Sequence, residues 1–212
     1  MCGRYYIDDE TSREIEKLLK LWSEKGGKEA ARGDLQPEIA CLSPGDIHPA
    51  EIAPVLSAQN GRLGCKLQRW GFPGYAGNGK SGAKIIFNAR QESALEKPTF
   101  RDSILHRRLA VPAAQFYEWN QNKEKNTFYR KDQPVMYLAG CYRCCQDGEH
   151  FVILTTAAND SMKPVHDRMP LILEQEEVAE WILDDRKIES FLQKMPCQLE
   201  RRTEYEQMSL FL

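Results

Sequence analysis

The fold class of this chain is set by residues 52–70, which read IAPVLSAQNGRLGCKLQRW. Two short runs rich in apolar residues flank Asn60-Gly61, a dipeptide that favours a tight hairpin turn. The pattern predicts a β-hairpin with strands at residues 52–57 and 64–70. Further strands are predicted at residues 84–88, 109–117, 135–144 and 151–156, and Asp147-Gly148 gives a second hairpin signal. The middle of the chain is therefore predicted to be mostly β.

Helices are predicted towards both ends of the chain. The segment Thr11-Ser12-Arg13-Glu14 has the form of a capping box, and apolar residues follow it at helical spacing until Gly26-Gly27. Another helix is expected at about residues 101–108, and two more at residues 175–183 and 187–195. The tail after Pro196 is either a last strand or frayed. Without repeats or a linker, the 212 residues are expected to form one domain over residues 1–212.

The composition bounds the functions that this chain can have. Hydrophobic residues make up 42% and charged residues 28%, and we find neither an apolar run of membrane-spanning length nor a signal-peptide pattern. We therefore expect a soluble, cytoplasmic protein. A formal net charge of -2 argues against a strongly basic nucleic-acid-binding domain but allows a local basic groove. Seven irregularly spaced cysteines favour reduced thiols over disulfides.

Cys2, which is followed by Gly3, has distinctive chemistry. A small second residue favours removal of Met1, which would leave Cys2 with an α-amine of pKa about 8 beside a thiol of pKa about 8.5. An aldehyde can condense with such an amine, and the thiol can then close a thiazolidine ring. The alternative interpretation is that Cys2 is an ordinary residue of a first strand.

Five motifs follow one another along the chain: MCGRY at residues 1–5, NARQES at 88–93, FYEW at 116–119, LTTAAND at 154–160 and VHDRMP at 165–170. In this order they resemble the SRAP (SOS response-associated peptidase) family, whose members shield abasic sites in DNA. The resemblance runs from residue 1 to about residue 183, and it is weaker over the C-terminal helices and tail at residues 175–212. Two departures concern local DNA contacts: the segment at 40–45 keeps little beyond Pro44-Gly45, and Ala114-Gln115 replaces a frequent Asp-Gly.

The resemblance implies an α+β fold of strongly curved, mixed or antiparallel β-sheets, barrel-like and flanked by helices, around a basic DNA cleft. It assigns four residues to the chemistry: Cys2 as nucleophile, Asn88 as holder of the terminal amine, and Glu118 and His166 as acid–base groups. It assigns five residues to DNA contact: Arg4 and Arg90 on phosphates, Trp70 and Trp119 near the bases, and Thr156. No cofactor and no metal are implied.

The function implied by the resemblance is that of an abasic-site sensor. Cys2 would form a covalent thiazolidine cross-link with the ring-opened abasic aldehyde in single-stranded DNA. Abasic-site lyase activity and self-removal of Met1 by peptidase action are further implications, as are a monomeric state and replication proteins as partners. Two alternatives remain open, namely a thiol-dependent peptidase and a non-catalytic reader of damaged DNA.

The residues themselves give each assignment a physical reason and an alternative. Glu118 lies between two aromatic residues, where burial fits it for proton transfer, but a salt-bridged strand-end glutamate has the same pattern. His166 lies in a loop, where a neutral imidazole can pass a proton. The Asn88 amide is expected to accept from the Cys2 ammonium, and its alternative is a turn-forming asparagine. His48, His106 and His150 are interpreted as surface or turn residues.

A DNA-binding surface is predicted from cations interleaved with aromatic residues, which single strands require. The cations and aromatics that supply it are Arg4, Arg69, Lys80, Lys84, Arg90, Trp70, Phe72, Tyr75 and Trp119. The same residues also fit a solvated rim around an aromatic core.

Two further patterns do not support a function. GYAGNGKS at residues 74–81 matches the phosphate-loop pattern, but Gly82 and a strand-like run follow where a helix would be needed. Cys141, Cys144 and Cys145 lack the fourth ligand of a structural zinc site. They are interpreted as reduced thiols of a hairpin.

Overall fold

The computed structural model describes residues 2–25, 44–74 and 84–204. Its strands are β1 (Tyr5–Ile7), β2 (Gly45–Ile47), β3 (Ile52–Gln59), β4 (Arg62–Trp70), β5 (Asn88–Arg90), β6 (Arg108–Ala113), β7 (Gln115–Trp119), β8 (Lys125–Tyr129), β9 (Met136–Cys145), β10 (Gly148–Ala157), β11 (Arg168–Pro170), β12 (Ile172–Leu173) and β13 (Glu200–Thr203). Its helices are α1 (Asp9–Lys25), α2 (Pro98–His106), α3 (Glu177–Leu183) and α4 (Ile188–Phe191). Two 3₁₀ turns lie at Gln91–Ser93 and Asp185–Lys187. The α+β fold class is confirmed.

A closed barrel of five strands forms the centre of the fold. Strands β4, β3, β6, β9 and β10 pair in that order, and β10 returns to β4 to close the ring. The β10–β4 pair is parallel, and the other barrel pairs are antiparallel. The predicted β3–β4 hairpin is confirmed, because Asn60 and Gly61 both have positive φ (51° and 76°), as a tight primed turn requires.

A second sheet of five strands, in the order β13-β8-β7-β1-β2, packs beside the barrel. Alternate residues of a strand point to opposite faces, so each barrel strand contributes to two apolar clusters. One cluster joins the barrel to the helices and includes Leu56, Val152 and Trp181. The other joins the barrel to the second sheet and includes Cys2, Trp70, Phe116 and Phe151. The start of the chain is therefore packed into the second cluster.

The first helix begins earlier than its predicted capping box. Asp8 Oδ1 accepts from the Thr11 backbone N–H at 2.8 Å, and the Asp8 backbone N–H donates to Thr11 Oγ1 at 3.2 Å. The reciprocal cap is therefore Asp8 with Thr11, and the prediction that placed it at Thr11 with Glu14 was wrong by one turn. The predicted helix end at Gly26-Gly27 lies outside the described residues.

Two predicted strands differ from the structure in their bounds. The segment predicted at 109–117 divides at Ala114, whose N–H donates to Tyr6 O, so that β6 stays in the barrel and β7 joins the second sheet. The strand predicted at 84–88 begins at Asn88, and Ile86 makes only an isolated bridge to Phe72. Within the tail after Pro196, residues Glu200–Thr203 form β13.

The remaining predicted elements match the structure in type. The helix predicted at 187–195 is shorter than expected, since a 3₁₀ turn precedes α4 and the helix ends at Phe191. In the described part of the chain, every helix is too short or too polar to cross a lipid bilayer.

Candidate active site

The pairing of β1 with β7 brings the start of the chain beside Glu118. Tyr5 is opposite Phe116, and the Tyr117 N–H donates to Arg4 O at 3.0 Å. Cys2 and Glu118 lie just beyond this pairing, and both are buried, with 1% and 5% of their surface exposed. A buried carboxylate close enough to a thiol to raise its pKa is an arrangement that favours proton transfer.

Asn88 holds the backbone of Cys2. Strand β5 runs parallel to β10, with Asn88 opposite Ile153, and this pairing aims the side chain at the chain start. Asn88 Nδ2 donates to Cys2 O at 2.8 Å, and Asn88 Oδ1 is buried without a hydrogen-bond partner in the described residues. The amide was predicted to accept from the Cys2 amine; in the structure it donates to the Cys2 carbonyl and keeps Oδ1 available as an acceptor.

Burial and the nearby Glu118 carboxylate raise the pKa of the Cys2 thiol to about 12. A hydrogen bond of the thiol with the Arg4 backbone lowers this pKa by a smaller amount. The thiol is therefore protonated at neutral pH. Any reaction that uses its sulfur needs a group that accepts the proton during the step.

His166 lies in the loop between β10 and β11, and its neighbour Val165 packs in the same apolar cluster as Cys2. His166 Nδ1 accepts from the Arg168 backbone N–H at 2.9 Å. Nδ1 is also 2.9 Å from Asp167 Oδ1, which can only accept, so the two contacts belong to different protonation states of the ring. In the neutral state the Arg168 contact places the proton on Nε2.

A bidentate ion pair ties the His166 loop to the Asn88 strand. Arg168 donates to the two carboxylate oxygens of Glu92 at 2.6 and 2.9 Å, and to Thr155 O at 2.6 Å. Glu92 lies in the 3₁₀ turn that directly follows β5. The ion pair therefore fixes two of the predicted catalytic segments relative to each other.

The predicted DNA contacts fall into two groups. Arg90 and Trp119 are exposed, with 40% of the Trp119 surface open to solvent. Arg4 forms an ion pair with Asp46 and lies 5.0 Å from the centre of the Tyr117 ring, so a phosphate would have to compete with Asp46. Sequence reasoning missed Asp46, since its partner lies 42 residues away.

Two predicted DNA contacts need correction because the structure places them in the core. Trp70 is fully buried against Tyr5, Phe87 and Phe151, and its indole N–H donates to Phe87 O at 2.9 Å. It presents no face on which a base could stack. The Thr156 hydroxyl is buried and accepts from Gln91 Nε2 at 2.7 Å.

Comparison with known proteins identifies the family. Residues 1–209 match the family described as SOS response associated peptidase (SRAP). The chain belongs to the SRAP family. The abasic site processing protein YoaM of Bacillus subtilis is 33% identical over an alignment of 176 positions, and the match covers 77% of this chain and 74% of YoaM. The abasic site processing protein YedK of Escherichia coli is 27% identical over an alignment of 195 positions, and the match covers 86% of this chain and 79% of YedK.

A solved structure supports the fold of this SRAP chain. A protein from Bacteroides thetaiotaomicron superposes with a TM-score of 0.71 at 23% identity, covering 98% of this chain and 94% of that one. At this identity the likeness concerns the fold alone.

The other patterns can now be placed on the SRAP fold. Residues 75–81 of the phosphate-loop pattern lie outside the described residues. Cys141 is buried, Cys144 is exposed and Cys145 is intermediate along β9. Within the described ranges, no group of three or more His, Cys, Asp or Glu side chains is arranged to hold a metal ion.

Cys2 is expected to alkylate far more slowly than Cys144 when the folded protein is treated with iodoacetamide at pH 8. A pKa of about 12 gives Cys2 a thiolate fraction about a thousandfold below that of a thiol at the ordinary value of 9.0, and burial limits access further. Because the shift is upward, the rate at Cys2 should keep rising with pH beyond 9. Peptide mapping by mass spectrometry measures both rates. Equal labelling of the two residues before denaturation would contradict the burial of Cys2.

Proposed function

We propose that this SRAP protein processes abasic sites in DNA by capturing the ring-opened aldehyde covalently on Cys2, after removal of Met1. The observation that carries the proposal is the convergence of Cys2, Asn88 and Glu118, in which one amide binds the Cys2 carbonyl and a buried carboxylate lies beside the thiol. The names of the relatives YoaM and YedK give the substrate class.

Formation of the thiazolidine requires two new bonds to the aldehyde carbon, one from the Cys2 nitrogen and one from its sulfur. The free amine of Cys2 attacks the aldehyde carbon to give a carbinolamine, which loses one water to form an imine. The thiol then adds to the imine carbon, and its proton moves to the nitrogen, which closes the thiazolidine ring. The net change is the loss of one water, so no oxidant or reductant is required. Both bonds form within one residue, which gives the second step a high effective concentration.

Each polar residue of the site either transfers a proton or orients a reacting group. Asn88 Oδ1, which is buried without a hydrogen-bond partner in the described residues, accepts from the Cys2 amine and orients its lone pair towards the aldehyde. Glu118 accepts the proton from the attacking amine and returns it to the departing hydroxyl. Neutral His166, with its proton on Nε2, serves as a donor to the sugar oxygen as the ring opens.

The substrate strand is single-stranded DNA. A missing base leaves a gap through which a protein nucleophile can reach the sugar, and a paired partner strand would obstruct that approach. Arg90 and Trp119 supply an exposed cation and an exposed aromatic face for the neighbouring nucleotides. Arg4 joins them if a phosphate displaces Asp46.

The test is to incubate the purified protein with a single-stranded oligonucleotide that carries one natural abasic site. We expect a heat- and denaturant-stable adduct whose intact mass equals the sum of the oligonucleotide and the protein without Met1, less one water. A matched oligonucleotide with a tetrahydrofuran analogue, which has no aldehyde, is the control. Turnover of added peptides would favour a peptidase, and binding without any adduct would favour a reader of damaged DNA.

A further inference from the structure

The side chain of Asn126 lies directly across the β7–β8 pair from Glu118. The register places the two residues opposite each other, and directly paired residues share a face of the sheet with Cβ atoms about 5 Å apart. Both residues are buried, with 5% of the Glu118 surface and 1% of the Asn126 surface exposed. Asn126 therefore places a carboxamide beside the candidate acid–base group.

The face that Asn126 and Glu118 share is the one that points to Cys2. Phe116 is paired with Phe128 in the same two strands, and their rings stack with centres 5.3 Å apart. Both rings belong to the apolar cluster that contains Cys2. Side chains two residues apart along a strand point the same way, so Glu118 and Asn126 point towards this cluster as well.

The Asn126 amide has a fixed orientation. Nδ2 donates to Glu124 O at 3.0 Å, and Oδ1 accepts from the Thr203 hydroxyl at 2.8 Å. A backbone carbonyl only accepts, so the Glu124 contact identifies the nitrogen end of the amide. An amide nitrogen carries two hydrogens, and the one that does not bind Glu124 O can be donated to a second acceptor.

Strand β13 supports Asn126 from the side opposite to Glu118. Thr203 is paired with Asn126, so Glu118, Asn126 and Thr203 form one line across β7, β8 and β13, which we call the polar row. The Glu204 N–H donates to Lys125 O at 3.3 Å, and the two side chains form an ion pair at 2.7 Å. The C-terminal strand is thus connected to the candidate acid–base group through a single side chain.

We propose that Asn126 is a positioning residue for Glu118, and that Thr203 holds the Asn126 amide in the orientation that this role requires. The second N–H of Asn126 Nδ2 donates to the Glu118 carboxylate and fixes its direction relative to Cys2. Precise placement matters for the rate, because a displacement of about 1 Å can slow a reaction by about 10²-fold. This inference rests on the proposed function, since it concerns the group that moves protons during aldehyde capture.

The test measures single-turnover cross-linking to a natural abasic oligonucleotide over a range of protein concentrations, which gives a maximal rate constant and a half-saturating concentration. Asn126→Leu keeps the size of the side chain but removes its polar atoms. It should lower the maximal rate constant by about 10- to 100-fold. The half-saturating concentration should not change, because the exposed residues proposed to contact DNA are intact.

Substitutions of Thr203 test the outer end of the polar row. Thr203→Val removes the hydroxyl at constant shape and should lower the maximal rate constant by about fivefold, the usual effect of one lost hydrogen bond. Thr203→Ser keeps the hydroxyl and should keep the wild-type rate. Thr127→Val is the matched control, since Thr127 follows Asn126 in β8 but points to the opposite face of the sheet. Thermal unfolding shows whether each variant folds.

A double-mutant cycle with Glu118→Gln separates positioning from a purely structural role. If Asn126 acts through the carboxylate, Asn126→Leu should change the residual rate of Glu118→Gln by less than about twofold. An equal decrease in both backgrounds would overturn the proposal, as would a wild-type maximal rate constant for Asn126→Leu. If Asn126→Leu does not fold, Thr203→Val is used in the same cycle with the same criteria.

Failure of the proposed function has a different signature. It appears as a missing adduct with the wild-type protein, and failure of the Glu118 role appears as a wild-type rate for Glu118→Gln alone. Both results are obtained before Asn126 is changed.

Discussion

Replacing Cys2 with alanine is expected to abolish the stable adduct with abasic DNA completely. The variant keeps an α-amine at the same position, so an imine can still form, but no sulfur is available to close the ring. Imines hydrolyse, and the adduct should therefore be lost on heating. Denaturing gel electrophoresis after incubation with a natural abasic oligonucleotide measures the result.

Borohydride distinguishes an imine from the thiazolidine and so gives a second test of this prediction. Reduction converts a transient imine into a stable amine, so Cys2→Ala and Cys2→Ser should each give a cross-link only when borohydride is present. Cys144→Ala, which changes an exposed thiol outside the site, should behave like the wild type. A heat-stable adduct of Cys2→Ala without reductant would show that another residue captures the aldehyde.

Glu118→Gln is expected to slow cross-linking by about 10²–10⁴-fold, the usual contribution of a positioned acid–base group. Glutamine keeps the shape of the side chain but cannot exchange a proton. The direction in which the cross-linking rate changes is informative, because the Glu118 carboxylate raises the pKa of the Cys2 thiol. Removing its charge would lower that pKa and increase the thiolate fraction. If thiolate supply limited the rate, the variant would be faster.

Single-turnover kinetics with protein in excess measure the rate for Glu118→Gln between pH 6 and pH 9. Glu96→Gln, which neutralises an exposed glutamate ahead of α2, is the matched control. A wild-type rate or a faster rate for Glu118→Gln would remove the proton-transfer role. That outcome would not change the proposed role of the Cys2 sulfur as a nucleophile.

The sequence predicts features that depend on a few neighbouring residues. Asn60-Gly61 indicates a hairpin because both positions accept positive φ, and the long strands around it carry enough apolar residues for a clear pattern. Strands such as β2 and β12 have three or two residues, which is too short for any periodicity, and they exist because a neighbouring strand pairs with them.

The candidate site was predictable in its reactive residues but not in their partners. Cys2 and Glu118 have chemistry that is visible from residue type and local context. The Glu92–Arg168 ion pair joins residues 76 positions apart, so only the fold reveals it. Trp70 illustrates the converse error: an aromatic residue beside arginine suggests an exposed stacking surface, whereas strand register turns its ring into the core.

Strand β10 pairs with β9, β4, β5 and β11, and its Ile153 is opposite Asn88. Two of these partners, β4 and β5, come much earlier in the chain, so the β4–β10 pair closes the barrel through contacts of high sequence separation, which form slowly. A nascent polypeptide that has not yet completed residues 148–157 lacks the strand that supports Asn88. Its Cys2 lacks the partners that the folded protein supplies, so the candidate site is assembled only after synthesis has passed this strand.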